Sequence, residues 1–114
     1  MSGITTHVLD VSIGRPAKGV PVRLEQLTAK TGWVTVSERA TDDDGRVRDL
    51  LAAGHRLEAG VYGLMFKTAD YFSARGTVSF YPEVRVTFEI RDPEQHYHVP
   101  LLLSPFGYST YRGS

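Results

Sequence analysis

Apolar and polar positions alternate along most of this chain, with the period of two that a β-strand imposes. In "ITTHVLDV" (4–11), Thr5, His7, Leu9 and Val11 share one face and Ile4, Thr6, Val8 and Asp10 the other. Both faces carry apolar residues, which predicts that both are at least partly covered. "GRPAKG" supplies Gly14, Pro16 and Gly19 and reads as a loop. "VPVRLEQLT" alternates again, with Pro21 expected near a strand start or on an edge, since it donates no ladder bond. "TGWVTVSERAT" predicts a third strand. "DDDG" predicts an acidic turn, followed by a short strand around Arg46 to Leu50.

Further on, "AAGHRLEAG" is a connector and "VYGLMFKT" a fifth strand. The pattern changes in "ADYFSARG", where Asp70 is placed to cap a short helix and Gly76 to end it. "VRVTFEI" is the clearest strand, with Val84, Val86, Phe88 and Ile90 facing the core. After the turn "RDPEQ", "HYHVPLLL" and "YSTYRGS" predict two last strands joined by "SPFG". Roughly eight short strands at regular spacing plus one helix predict an all-β sandwich.

Composition narrows this picture. A length of 114 residues predicts one domain over 1–114, with one modest core. The formal net charge is zero, so nothing global argues for nucleic acid or an anionic membrane. With no cysteine, there is no disulfide framework, thiolate metal site or cysteine nucleophile. No apolar run is long enough to span a bilayer, and "MSGITTHVLD" lacks the features of a secretory signal. The cytoplasm is the expected compartment.

Four histidines can carry chemistry: His7, His55, His96 and His98. His7 and His98 lie within apolar strands. Each is either a core histidine satisfied by a carbonyl or a general base. His55, between Gly54 and Arg56, is expected to be solvated. His96 and His98 point to one side of a strand, a spacing that suits a chelate, with His7 as the only candidate third ligand; this is a weak zinc signal. Arg46 either neutralises Asp42 to Asp44 or acts as an oxyanion clamp. Arg112 has the same two readings, beside the aromatic Tyr111 at the end of the chain. No G-x-S-x-G elbow and no phosphate loop is present.

Three motifs in order, "THVLDVSIGRPAKGVPVRLE", "DDGR" and "HYHVPLLLSPFGYSTYRGS", together resemble the 5-hydroxyisourate hydrolase family of transthyretin-like enzymes. The resemblance runs along essentially the whole chain. It implies a transthyretin-like β-sandwich of two four-stranded antiparallel sheets with one short helix. It assigns catalysis to His7, Arg46 and His98, and substrate binding to Tyr111, Arg112, Gly113 and Ser114. It also implies no metal or cofactor, a small purine-derived substrate, and a homotetramer with active sites at the dimer–dimer interface. The reaction implied is ring opening to 2-oxo-4-hydroxy-4-carboxy-5-ureidoimidazoline.

Strand parity complicates the tail, because Tyr111 and Ser114 fall on opposite faces. Either the chain bends at Gly113, which is the expectation, or only one of them touches substrate. The rival reading is a transthyretin-like carrier of a small ligand in the central channel; a plain adaptor sandwich would leave the interior histidines without a role.

Overall fold

The structure is a computed structural model that describes residues 3–114; Met1 and Ser2 of the expected 1–114 domain lie outside it. Ten elements follow in order: β1 (Gly3–Asp10), β2 (Arg15–Pro16), β3 (Pro21–Thr28), β4 (Gly32–Ala40), β5 (Arg46–Val47), β6 (Gly60–Phe66), α1 (Thr68–Ala74), β7 (Val84–Ile90), β8 (His96–Ser104) and β9 (Gly107–Thr110). They form two sheets. One runs β2-β1-β8-β9 with β5 also paired to β1; the other runs β4-β3-β6-β7. The sandwich expected from the period-two pattern is present.

Inward-facing residues of β1, β3, β6, β7 and β8 meet between the sheets. Val8 of β1, Leu24 of β3, Leu64 and Phe66 of β6 and Leu101 of β8 are fully buried. Burying each such side chain contributes roughly 1.5–3 kcal/mol. The other face of β1 (Gly3, Thr5, His7, Leu9) is only half-buried. Sandwich packing therefore covers one face and leaves the histidine face of β1 accessible.

The structure differs from the sequence reading in six places. The first sheet is not wholly antiparallel, because β1 and β8 pair in parallel, from Gly3 opposite His96 to Asp10 opposite Leu103. The strand expected over Arg46 to Leu50 is two residues long. The outer edge of β1 is shared: β5 takes Thr6 and His7, and β2, inside the expected "GRPAKG" loop, takes Leu9 and Asp10. Between them, the Val8 N–H donates to the Gly45 carbonyl at 2.7 Å and the Val8 carbonyl accepts from Ala17 N–H at 2.9 Å.

The helix begins at Thr68, so Asp70 lies in its first turn and does not cap it. Thr68 is buried, and tertiary packing sets the start. The final strand stops at Thr110. The β8–β9 register, carried further, sets Tyr111 against Pro100, which has no N–H to offer the ladder. Finally, Gly113 is not a left-handed bend; it forms an isolated antiparallel bridge with His98.

The far end of β1 is anchored by a buried carboxylate. Asp10 accepts from Ser12 N–H at 3.0 Å and from the Tyr71 hydroxyl at 2.8 Å. Burial, and then the neighbouring Asp10, pushes the Tyr71 phenol up to about 12. This tie between β1 and α1 holds the strand that carries Thr5 and His7.

Candidate active site

Register alone brings the candidate residues onto one face of the first sheet. Thr5 stands opposite His98 and His7 opposite Pro100 across the parallel ladder, while Arg46 stands opposite His7 on the other side. Residues paired across a ladder point to the same side. His7, Arg46, His96 and His98 therefore project from the face turned away from the core.

The acidic turn explains how Arg46 reaches this face. Gly45 sits at a φ of 75°, in the left-handed region, and a Cβ there would collide with the Val8 carbonyl. The glycine lets the turn lie flat on β1. Asp42 then accepts the N–H of Arg46 and of Asp44, each at 2.9 Å. The Arg46 amide is the largest cause holding the Asp42 carboxyl below the usual range. The side-chain pairs of this turn are made by others: Lys18 with Asp43 at 2.9 Å and Arg48 with Asp42 at 3.3 Å. Direct ion pairing with the turn thus falls to Lys18 and Arg48, while the charge of Arg46 also helps to hold Asp42 ionised. Arg46 also lines a cavity.

That cavity, of about 380 Å³, is walled by Thr5, Thr6, Arg46, Arg48, His96, His98 and Ser114. His98 is half-buried in its wall. Burial lowers the His98 pKa from 6.5, and the charges of Arg46, His7 and His96 lower it further. The ring is therefore neutral above pH 6.5 and holds a free lone pair there. The residues His98, Arg46 and Ser114 around one open cavity offer a neutral imidazole, a cationic side chain and a polar chain end, which can bind a small polar ligand and activate water beside it.

Arg46, His98 and Ser114 are brought together in this way. His7 neighbours them on β1 without lining the cavity. Tyr111 and Arg112 line a separate groove of about 350 Å³, with Val86, Phe88, Tyr97 and Val99 among its walls. The Arg112 guanidinium lies 4.5 Å over the Tyr97 ring and donates to Gln95 Oε1 at 2.9 Å. In the single chain it fastens the tail to β8. Gly113 serves the same end by close approach: its N–H donates to the His98 carbonyl at 2.8 Å. A Cβ there would come within 2.5 Å of His98 Cδ2. His55 is exposed, as expected.

Sequence reading passed over Thr5 and Arg48 and assigned His96 only to a chelate. The parity of Thr5 with His7 was visible, but its partner lies across a parallel pairing that no local signal announces. Among the described residues, no three of His, Cys, Asp and Glu come together where they could hold a metal ion.

Comparison with known proteins bears on the fold and the family. The family model described as "HIUase/Transthyretin family" matches residues 4–113. A 5-hydroxyisourate hydrolase of Caulobacter vibrioides is 49% identical, covering 100% of both chains. The solved structure of the Klebsiella pneumoniae 5-hydroxyisourate hydrolase superposes with a TM-score of 0.86 at 37% identity, covering 100% of both chains. Sea bream transthyretin in complex with thyroxine superposes with a TM-score of 0.89 at 34% identity, covering 96% of this chain and 93% of that one. The sandwich, the matched span and these likenesses agree: this chain belongs to the HIUase/transthyretin family.

Proposed function

We propose that this protein hydrolyses 5-hydroxyisourate, opening its ring to 2-oxo-4-hydroxy-4-carboxy-5-ureidoimidazoline. The relatives named above as 5-hydroxyisourate hydrolases support the activity. The observation that carries the reading is the meeting of Arg46, His98 and Ser114 around one open cavity.

In the proposed step, neutral His98 takes a proton from water as the water oxygen attacks the ring carbonyl. Arg46 stabilises the oxyanion that forms and holds the anionic substrate. The ring carbon–nitrogen bond then breaks, and the proton passes to the leaving nitrogen. His7 and the Ser114 end position the water and the leaving group. General base catalysis typically supplies ~10²–10⁴-fold, and one oxyanion donor about 10²–10³-fold. Assembly as a homotetramer would set the exposed Tyr111 and Arg112 of one protomer where they wall a neighbour's cavity and limit it to small planar ligands. The cytoplasm is the proposed compartment.

A small-ligand carrier is the second reading, favoured by the likeness to transthyretin in complex with thyroxine. Absorbance decay of freshly generated 5-hydroxyisourate separates the two. Hydrolysis predicts decay faster than the uncatalysed rate and its loss in His98→Asn. Decay at the uncatalysed rate with the intact protein would sink the hydrolase reading.

A further inference from the structure

One hydroxyl touches two imidazoles. Thr5 Oγ1 lies 2.8 Å from His98 Nδ1 and 2.9 Å from His96 Nε2. A hydroxyl has a single hydrogen to donate and two lone pairs to accept with. Thr5 therefore cannot donate to both rings, and the protonation of one ring constrains the other.

The direction of the chain of bonds decides what His98 can do. If Thr5 donates to Nδ1 of neutral His98, the ring hydrogen sits on Nε2 and the ring meets a ligand as an acid. If Thr5 accepts from Nδ1–H, the Nε2 lone pair is free and the ring meets a ligand as a base. In the second arrangement the hydroxyl hydrogen remains for His96 Nε2. His96 is exposed at the strand start and is bonded to Thr5 through that nitrogen.

We propose that Thr5 is a positioning residue that sets the tautomer of His98, accepting from His98 Nδ1–H and donating to His96 Nε2. This rests on the hydrolase reading, in which His98 is the base. His96 and His98 then act in series through Thr5, with no metal between them. When His98 gains a proton at Nε2, its Nδ1–H bond to Thr5 is unchanged. The ring returns that proton to the leaving nitrogen without turning. Partners of this kind behind a working histidine are worth about 10–100-fold where they have been removed around metals.

The test uses the full chain with ¹⁵N-labelled histidine. Long-range proton–nitrogen correlation above pH 6.5 reports which nitrogen of His98 carries hydrogen. The intact protein and Thr5→Ser, which keeps the hydroxyl, should show the Nδ1–H form. Thr5→Val should show a mixture or the Nε2–H form, with kcat down about 10–100-fold, KM little changed, and most of the rate restored in Thr5→Ser. His98 as Nε2–H in the intact protein, or an unchanged tautomer in Thr5→Val, overturns the proposal. If Thr5→Val fails to fold, Thr5→Ala removes the same hydroxyl, and an unchanged His98 tautomer there overturns it equally. The tautomer is read without substrate, so an intact protein that shows the Nδ1–H form but no hydrolysis would remove the hydrolase reading alone.

Discussion

Gly113 and His98 are locked to each other twice: by a backbone bond of 2.8 Å, and by a clearance that admits no Cβ between the tail and the imidazole ring. The contact places Ser114 at the cavity and limits the freedom of His98. Gly113→Ala should force the tail or the ring aside, while the fold, whose core lies on the other face, melts within a few degrees of the parent. Turnover should fall at least tenfold. Thermal melting beside the absorbance assay checks this; a full rate in Gly113→Ala would show that the close approach is incidental.

Arg46 and Lys18 both flank the acidic turn, Arg46 by following it and Lys18 by pairing with Asp43, but only Arg46 lines the cavity. Arg46→Ala should lose about 10²–10³-fold in kcat, as expected for an oxyanion donor. Lys18→Ala removes an exposed ion pair, which is worth about 0–1 kcal/mol, and should leave the rate near that of the parent. Equal losses in the two variants would mean that the charge of the turn matters and the placement of Arg46 does not.

Removal of residues 111–114 should spare the fold, because the tail beyond Thr110 adds no buried side chain to the core. It should abolish turnover, because Ser114 leaves the cavity and Gly113 no longer holds His98. Circular dichroism and the absorbance assay on the same preparation decide the matter; retained turnover would detach the tail from the site.

The pH dependence follows from the sign of the His98 shift. Burial, Arg46, His7 and His96 all disfavour the charged ring, so its pKa in the folded protein lies below 6.5. Activity that needs the neutral ring should be level above pH 6.5 and fall only as the pH drops through the lower, folded value. Between those two values the unfolded chain binds more protons at this site than the folded one. The contribution of His98 to stability is thus complete above 6.5 and is lost as the pH falls. Proton titration of His98 by NMR should give a midpoint below 6.5, moving upward in Arg46→Ala. A downward move would contradict the proximity of the two groups.

Much of the scaffold could be read locally. Alternation in "VRVTFEI" and "HYHVPLLL" marks strands because each has one face toward the core, and "DDDG" marks a turn because Gly45 alone tolerates its backbone. What could not be read locally depends on distant segments. Arg46 to Leu50 has the composition of a longer strand, yet its pairing with β1 ends at Val47, and β2 takes up the edge at Leu9 and Asp10 on the other side of Val8. Arg112 had two readings as an anion clamp or a surface charge, and took a third, stacking on Tyr97, once Pro100 released the tail from its ladder. Thr5 shows no chemistry in the sequence and becomes conspicuous only when a parallel register sets it across from His98.

That parallel register also shapes the order of folding. Thr5 and His98 are 93 positions apart, whereas β3 and β4 meet through a tight hairpin. Closure of so long a loop is entropically costly and slow compared with hairpin formation. The second sheet can therefore zip up while the first still awaits its partner strand. A nascent chain emerging from the ribosome carries Thr5, His7 and Arg46 long before it carries His98, so the cavity comes into being only once β8 has joined them.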